Sequence, residues 1–184
     1  MQYSKSHFSI PLFNIEKETL RSLPEVYAVI VPSAGKKANR WPAERFGELA
    51  SRLPLKCVIV GSEADAGIVG EVVENSKGNA ISLAGKTDIK GLTSVIKRAR
   101  FLISNDTGPM HIAAAFDVKV FAIFGPANPV RTGPYGSMHT VIREDLPCSP
   151  CYAKKKCRDW KCINMITVDR VYSIINKEID RLVT

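Results

Sequence analysis

The chain has 184 residues and a formal net charge of +8, with 45% hydrophobic and 24% charged residues. This length and composition are ordinary for a soluble chain that folds as one domain, or slightly more, around a full core. No apolar run approaches the roughly 18–20 residues that span a bilayer, and residues 1–10 lack the layout of a signal peptide. We therefore expect a cytoplasmic protein whose five cysteines are reduced or bound to metal.

Short apolar runs rich in β-branched residues predict strands that are buried on both faces. They lie at 27–31, 57–60, 80–83, 101–103 and 118–124, with a weaker strand at 139–142. Residues 1–24 are polar and weakly periodic, which is typical of a linker or N-terminal arm. The remaining chain, 25–184, is predicted to form one domain.

Segments with helical periodicity alternate with these strands. The first opens at Trp41-Pro42, a second is marked by apolar residues at 68–73, and a third follows Asp88, which is suited to cap it. Further helices are predicted at 108–116 and from about Thr167 to Leu182. This alternation predicts an α/β fold, a Rossmann-like parallel sheet with helices on both faces. Ligands of such sheets bind at the carboxyl ends of the strands, where polar turns lie at 32–40, 61–65, 104–109 and 125–136.

The turn at 104–109 is the most informative of the four. A strand that ends in a polar turn and enters a helix leaves the first N–H groups of that helix unpaired, and these groups favour a phosphate. Thr107 adds a hydroxyl donor, Gly108 permits close approach of a ligand, and Pro109 suits the first helical turn. The alternative is a capped crossover helix that binds no ligand.

Two side chains beside this turn each allow two roles. Asp106 is either the N-cap of the helix or a ligand to sugar hydroxyls, and His111 is either a structural hydrogen-bonding residue or a contact to a bound phosphate or sugar. Two phosphate-binding fingerprints are excluded. Gly85-Lys86-Thr87 lacks the preceding glycine of a P-loop because Ala80 occupies that position, and the chain contains no GxGxxG.

Basic residues cluster in two segments and attract anions. One cluster is Lys36, Lys37 and Arg40; the other lies in the cysteine-rich segment 147–163 and comprises Lys154, Lys155, Lys156, Arg158 and Lys161. The same segment carries four thiols, whose spacing permits a structural metal such as zinc: Cys148, Cys151, Cys157 and Cys162. The alternative is that the four thiols stay reduced and metal-free. Cys57 lies inside an apolar strand and is predicted to fill the core.

Several of these strings, in this order, resemble glycosyltransferase family 9, the heptosyltransferases of lipopolysaccharide core assembly. The strings are Pro32-Ser-Ala-Gly35, Asn39-Arg40-Trp41-Pro42, Leu83-Ala-Gly-Lys-Thr87, Ile103-Ser-Asn-Asp-Thr-Gly-Pro-Met-His111, Phe124-Gly-Pro126 and Arg131-Thr-Gly-Pro-Tyr-Gly136. The resemblance runs over about residues 26–182 and includes the clustered cysteines. It implies the GT-B architecture, in which two Rossmann-like domains face each other across the active site, and this chain resembles the C-terminal, donor-binding half.

The resemblance also implies roles for individual residues in binding the donor, ADP-heptose. Asp106, Thr107, Gly108, Pro109 and His111 would contact the diphosphate and heptose, and Met110 would pack near the nucleotide. Ser33, Ala34 and Gly35 would line the phosphate end, and Glu63 would hold the ribose or base. The family usually has lysine at the position of Asn39, so Lys36, Lys37 or Arg40 would replace that cation.

The expected function is donor binding for an inverting heptosyl transfer that requires no cofactor. Because the resemblance does not include the acceptor domain and its catalytic base, we expect no turnover from this chain alone. The implied partners are the lipopolysaccharide core, through the other domain, and the surface of the inner membrane; nucleic acid is not expected. Two alternatives stay open: the domain of a related nucleotide-sugar enzyme such as an epimerase, and a non-catalytic module whose basic cysteine cluster docks nucleic acid or a protein.

Overall fold

A computed structural model of the protein describes residues 20–153, 157 and 159–183, with side chains up to residue 179. In this part of the chain, six strands form one parallel sheet in the order β3-β2-β1-β4-β5-β6. The strands are β1 (Tyr27–Val31), β2 (Lys56–Ile59), β3 (Ala80–Ser82), β4 (Phe101–Asn105), β5 (Lys119–Phe124) and β6 (Thr140–Arg143). The parallel sheet confirms the predicted Rossmann-like α/β fold.

Helices connect the strands and cover both faces of the sheet. They are α1 (Ala43–Arg52), α2 (Ala66–Asn75), α3 (Ile89–Arg98), α4 (Gly108–Ala115), α5 (Pro129–Thr132), α6 (Lys161–Asn164) and α7 (Val168–Val183). Two single turns of 3-10 helix lie at Lys37–Asn39 and Glu63–Asp65. The one-turn helices α5 and α6 were not predicted because they are too short to show an apolar period.

Alternate residues of the central strands enter two separate cores. On one face, Ala28 and Ile30 of β1 join a core with α1, α2 and α7. On the other face, Tyr27 and Val29 join a core with α3 and α4, and Val31 belongs to the same core. All five residues of β1 are buried, as expected for a strand covered on both sides.

The predicted boundaries were correct to within one or two residues, with a few corrections. Pro42 precedes α1 in the N-cap position instead of occupying its first turn. Strand β4 continues through Ser104 to Asn105, because Asn105 still pairs with Ile123 of β5. The predicted arm at 1–24 falls mainly outside the described residues; within it, Leu20 and Leu23 pack against the core of α3 and α4.

The strand order reverses between β1 and β4, which are neighbours in the sheet although β2 and β3 intervene in the chain. The connection after β1 runs to one face through α1, and the connection after β4 runs to the other face through α4. The loops that leave the two strands therefore diverge and open a crevice at the carboxyl edge, where α/β proteins bind ligands.

Candidate functional site

The N-terminus of α4 presents unpaired N–H groups at this crevice. Thr107 is the N-cap with extended backbone, and its hydroxyl makes no capping hydrogen bond. Within the described chain the N–H groups of Thr107 and Gly108 donate to no protein acceptor, and Pro109 has no N–H. A Cβ placed on Gly108 would meet no atom within 4 Å. This open space beside free donors at the positive end of a helix suits an anion.

The position of the N-cap corrects one expectation for Asp106. Because Thr107 caps α4, the carboxylate of Asp106 is not the cap. It is half-buried, and its Oδ2 accepts a hydrogen bond from Nδ2 of Asn39 at 3.2 Å. Burial raises the pKa of Asp106, although a hydrogen bond from Thr132 and the charges of His111 and Lys36 act in the opposite direction. A half-buried carboxylate with spare lone pairs can accept hydrogen bonds from a ligand.

A cleft of about 320 Å³ opens beside the N-terminus of α4. Its lining combines the carboxyl ends of β1 and β2 with the first turns of α3 and α4: Val31, Ser33, Val60, Gly61, Ser62, Asp65, Thr87, Asp88, Ile89, Leu92, Thr107 and Pro109. The volume lies in the range of small-molecule sites, and apolar walls with a few polar groups are typical of them. Three of the predicted site residues, Ser33, Thr107 and Pro109, therefore share this cleft.

The acidic side chain that lines the cleft beside β2 is Asp65, and Glu63 does not line it. Asp65 accepts hydrogen bonds from the backbone N–H of Ser62 at 2.9 Å and from its hydroxyl at 2.6 Å. Burial opposes ionisation of Asp65, but these bonds, a hydrogen bond from Ser33 and the charge of Arg40 outweigh it and lower its pKa. Glu63 is exposed, and its Cα lies 3.3 Å from a Cβ placed on Gly85. Asp65 was within the predicted turn 61–65, but no local pattern favoured it over Glu63.

The predicted basic residues occupy a loop that runs from β1 to α1. We call residues 33–40 the basic loop. Lys36 and Lys37 are exposed, whereas Nε of Arg40 donates to the carbonyl of Ala34 at 2.6 Å and fixes the loop from within. Ala34 is buried, and a Cβ placed on the exposed Gly35 would meet no atom within 4 Å. The exposed cations can move toward an anion at α4, while Arg40 maintains the loop.

Two further predicted residues of α4 differ in exposure. Met110 is fully buried in the core of α3 and α4, so its side chain has no surface to offer a ligand in this structure. His111 is exposed and lies close enough to Asp106 for its charge to lower the pKa of that carboxyl. Asp88, predicted as a cap, is confirmed in that role: its Oδ1 accepts from the N–H of Gly91 at 2.7 Å.

Asn105 and Thr132 are site residues that the sequence did not identify. Asn105 is completely buried; its Oδ1 accepts from the N–H of Trp41 at 2.9 Å and its Nδ2 donates to the carbonyl of Pro32 at 2.7 Å. The hydroxyl of Thr132, at the end of α5, donates to the carbonyl of Asn128 at 3.3 Å, and Thr132 also lowers the pKa of Asp106. Both residues belong to strings that carry the family resemblance, and this resemblance was the signal that could have identified them. The hydrogen-bond partners of Asn105 are distant in the chain, so no local pattern indicated them.

The cysteine-rich segment packs on the same edge of the sheet. The N–H groups of Cys151 and Tyr152 donate to the carbonyl of Pro126 at 3.0 and 2.8 Å. Burial raises the pKa of Cys162, and negative charge on Cys151, Cys157 and Cys148 raises it further. Among the described residues, however, no group of three or more His, Cys, Asp or Glu is arranged to hold a metal ion. The basic residues 154–156 and 158 lie outside the described part.

Cys57 is a separate thiol, as predicted. It is fully buried in β2, and this burial raises its pKa to about 12. In the described ranges, none of the helices combines a bilayer-spanning length with the apolar character that such a span requires.

Comparison with known proteins gives a consistent set of similarities. The sequence model of glycosyltransferase family 9 (heptosyltransferase) matches residues 1–161. Lipopolysaccharide heptosyltransferase 1 of Pseudomonas aeruginosa is 33% identical over 135 residues, which are 71% of this chain and 37% of that protein. The chain therefore spans well under half the length of this relative.

Solved structures are similar in fold. The E. coli ADP-heptose lps heptosyltransferase II superposes with a TM-score of 0.73 at 24% identity, over 98% of this chain and 59% of that one. The E. coli heptosyltransferase WaaC with ADP gives a TM-score of 0.69 at 22% identity, over 86% of this chain and 46% of that one. Both sequence identities are below 25%, so these similarities concern the fold alone.

Proposed function

Because the chain belongs to glycosyltransferase family 9, we propose that it is the donor-binding domain of a heptosyltransferase and that its donor is ADP-heptose. The observation that carries this proposal is the pair of free N–H groups on Thr107, which lines the cleft, and on the next residue, Gly108. A nucleoside diphosphate sugar needs an anion site between a nucleoside pocket and a sugar pocket. The described residues offer one feature for each part.

In this proposal the diphosphate lies at the N-terminus of α4. The N–H groups of Thr107 and Gly108 and the Thr107 hydroxyl donate to phosphate oxygens, and Ser33 faces them from the end of β1. Lys36 and Lys37 add positive charge from the exposed side of the basic loop. Donors fixed at the point where the leaving diphosphate gains negative charge lower the barrier to its departure, and this requires no metal.

The nucleoside occupies the cleft between the ends of β1 and β2 and the first turn of α3. The base packs between apolar side chains such as Val60 and Leu92, and Asp65 accepts hydrogen bonds from the ribose hydroxyls. We assign this role to Asp65 instead of Glu63, because only Asp65 of the two lines the cleft. An acidic side chain after the second strand is the usual acceptor of ribose hydroxyls in Rossmann-like folds.

The heptose lies on the side of Asp106. This carboxylate accepts a hydrogen bond from Asn39, which leaves acceptor positions on its two oxygens for a ligand. In the inverting reaction, a base removes the proton of an acceptor hydroxyl, the hydroxyl oxygen bonds to the anomeric carbon, and the bond from that carbon to the diphosphate breaks. We assign the base, and the lipopolysaccharide-core acceptor at a membrane surface, to an acceptor-binding domain that these residues do not include. The chain alone is then expected to bind donor without turnover.

Calorimetry with ADP tests the proposal, with Gly108→Ala as the sharpest variant. A Cβ at Gly108 meets no protein atom within 4 Å, so the substitution leaves the fold unstrained and acts only on a ligand that approaches the backbone. We expect ADP affinity to fall about tenfold. Gly70→Ala is the matched control, because Gly70 is also helical with no atom within 4 Å but lies in α2.

Two results would overturn the proposal. Wild-type chain that fails to bind ADP at millimolar concentration would remove donor binding altogether. Equal ADP affinity in Gly108→Ala, Gly70→Ala and the wild type would show that the nucleotide binds elsewhere than at α4.

A further inference from the structure

We propose that Asn105 is the positioning residue of the donor site, acting as a clamp that holds both ends of the basic loop against β4. The inference rests on the proposed function for its consequence in binding, but the clamp itself is a property of the ligand-free chain. The side chain of Asn105 does not line the cleft. It acts through the basic loop and the turn that leads from β4 into α4, which it joins.

The clamp continues the sheet beyond its last backbone pair. The register of β1 and β4 ends with Val31 opposite Ser104, so Pro32 and Asn105 are the next positions on the two strands. At this step the side-chain Nδ2 of Asn105 donates to the carbonyl of Pro32 at 2.7 Å. Since proline has no N–H, its carbonyl is the group through which this residue can be tied to β4.

The other end of the same amide fixes the far end of the basic loop. Oδ1 of Asn105 accepts from the backbone N–H of Trp41 at 2.9 Å. Trp41 is in turn held by its indole, whose Nε1 donates to the carbonyl of Ile166 at 2.8 Å before α7. One buried side chain thus ties down the residue before the basic loop and the residue after it.

Burial makes the loss of either hydrogen bond of Asn105 costly. Asn105 is completely buried, and a buried amide that loses either partner is left unsatisfied at a cost greater than the bond contributes when formed. The residues that follow Asn105 are Asp106, Thr107 and Gly108, so movement of the clamp changes the distance between the basic loop and the α4 donors. A loop held in its binding geometry before the ligand arrives does not have to be ordered by it.

Asn105→Asp tests the clamp, because its effect depends on protonation. The carboxyl group that it introduces can accept from Trp41 in either state but can donate to Pro32 only when protonated. We expect hydrogen exchange of residues 33–41 to be about tenfold faster than in the wild type at pH 8, and to return toward the wild-type rate at pH 5. ADP affinity, taken as a ratio to wild type at each pH, is expected to follow the same course.

Asn79→Asp is the matched control at the opposite edge of the sheet. Nδ2 of Asn79 donates to the carbonyls of Ala50, Leu53 and Leu55, so this variant loses part-buried side-chain hydrogen bonds far from the basic loop. We expect it to leave exchange of 33–41 at the wild-type rate. Acceleration of 33–41 in both variants would reduce Asn105 to a general stabiliser of the fold and overturn the clamp.

The wild-type chain provides a measurement that does not depend on a variant folding. The N–H of Trp41 is expected to exchange at least about tenfold more slowly than those of Gly35 and Lys36, which donate to no acceptor in the described chain. Equal rates would overturn the clamp. If the wild type fails to bind ADP while these exchange results hold, the proposed function fails and the clamp stands. If Asn105→Asp binds ADP normally at pH 8, the role of the clamp in binding fails and the proposed function stands.

Discussion

Asn39 and Asp106 are 67 positions apart in the chain, yet Nδ2 of Asn39 donates to Oδ2 of Asp106 at 3.2 Å. The bond joins the basic loop to the residue that precedes the α4 donors. Its donor is a neutral amide, so it orients the carboxylate without neutralising it. Burial raises the pKa of Asp106, and a cation placed at position 39 would act against this effect.

Asn39→Lys is expected to strengthen ADP binding about fivefold to tenfold at low salt. The ammonium adds a positive charge beside the N-terminus of α4 and pairs with Asp106, which lies within reach of the present side chain. Calorimetry at two salt concentrations measures the effect. Asn176→Lys adds the same charge at an exposed position of α7, which covers the face of the sheet opposite to α4. This variant should leave the affinity for ADP unchanged. An equal gain in both variants would mean that net charge alone attracts the nucleotide.

Asp106→Asn is expected to raise the free energy of unfolding at pH 8. Burial raises the pKa of Asp106, so the folded chain favours the protonated carboxyl and is destabilised by the ionised one. The stability of the wild type therefore recovers as the pH falls through this pKa, and the advantage of Asp106→Asn shrinks in parallel. Denaturant unfolding between pH 8 and pH 4 measures it. A constant difference across this range would contradict the direction of the shift.

The same variant separates sugar binding from nucleotide binding. If Asp106 accepts hydroxyls of the heptose, Asp106→Asn weakens ADP-heptose and leaves ADP nearly unchanged. A loss of charge-assisted hydrogen bonds is expected to cost about tenfold in affinity for the sugar nucleotide. Parallel loss for both ligands would place Asp106 at the diphosphate.

Asp65→Asn is expected to abolish the preference for ADP over 2′-deoxy-ADP. In the wild type, we expect ADP to bind about fivefold to tenfold more tightly, because the carboxylate accepts the ribose hydroxyl. Hydrogen bonds from Ser62 and Ser33 and the charge of Arg40 outweigh burial and keep the pKa of Asp65 low, so the preference should persist from pH 8 to pH 5. Glu63→Gln is the matched control and should retain it. Loss of the preference in the control alone would return the ribose contact to Glu63.

Thiol labelling is expected to proceed in a fixed order. Cys148 and Cys157 are exposed and should react first with iodoacetamide, whereas Cys162 is buried and its pKa is raised, mainly by this burial. Cys57, with a pKa of about 12 in the core, should react only after unfolding. Mass spectrometry of timed samples measures the order. A parallel reaction with Zn²⁺ tests the metal site that the spacing permits, which would show as protection of all four clustered thiols.

The sequence by itself determined the architecture and the edge of the sheet that carries the candidate site. Buried β-branched runs such as Tyr27–Val31 are visible in the sequence because both faces of a parallel strand must be apolar, and the turns between them mark the carboxyl ends. The free donors at Thr107 and Gly108 were predictable for a similar reason: they follow from a local strand-turn-helix junction, which a short string of residues specifies.

Only the tertiary structure decided which polar side chains lie at this candidate site or brace its loops. Asp65 and Glu63 are two positions apart with the same charge, and the course of one 3-10 turn places Asp65 at the cleft and Glu63 outside it. Asn105 meets Trp41 and Pro32 across separations of 64 and 73 positions, which no local pattern encodes. Apolar burial repeats along a chain and can be read from its period, whereas a hydrogen bond between distant loops depends on where the sheet brings two particular atoms together.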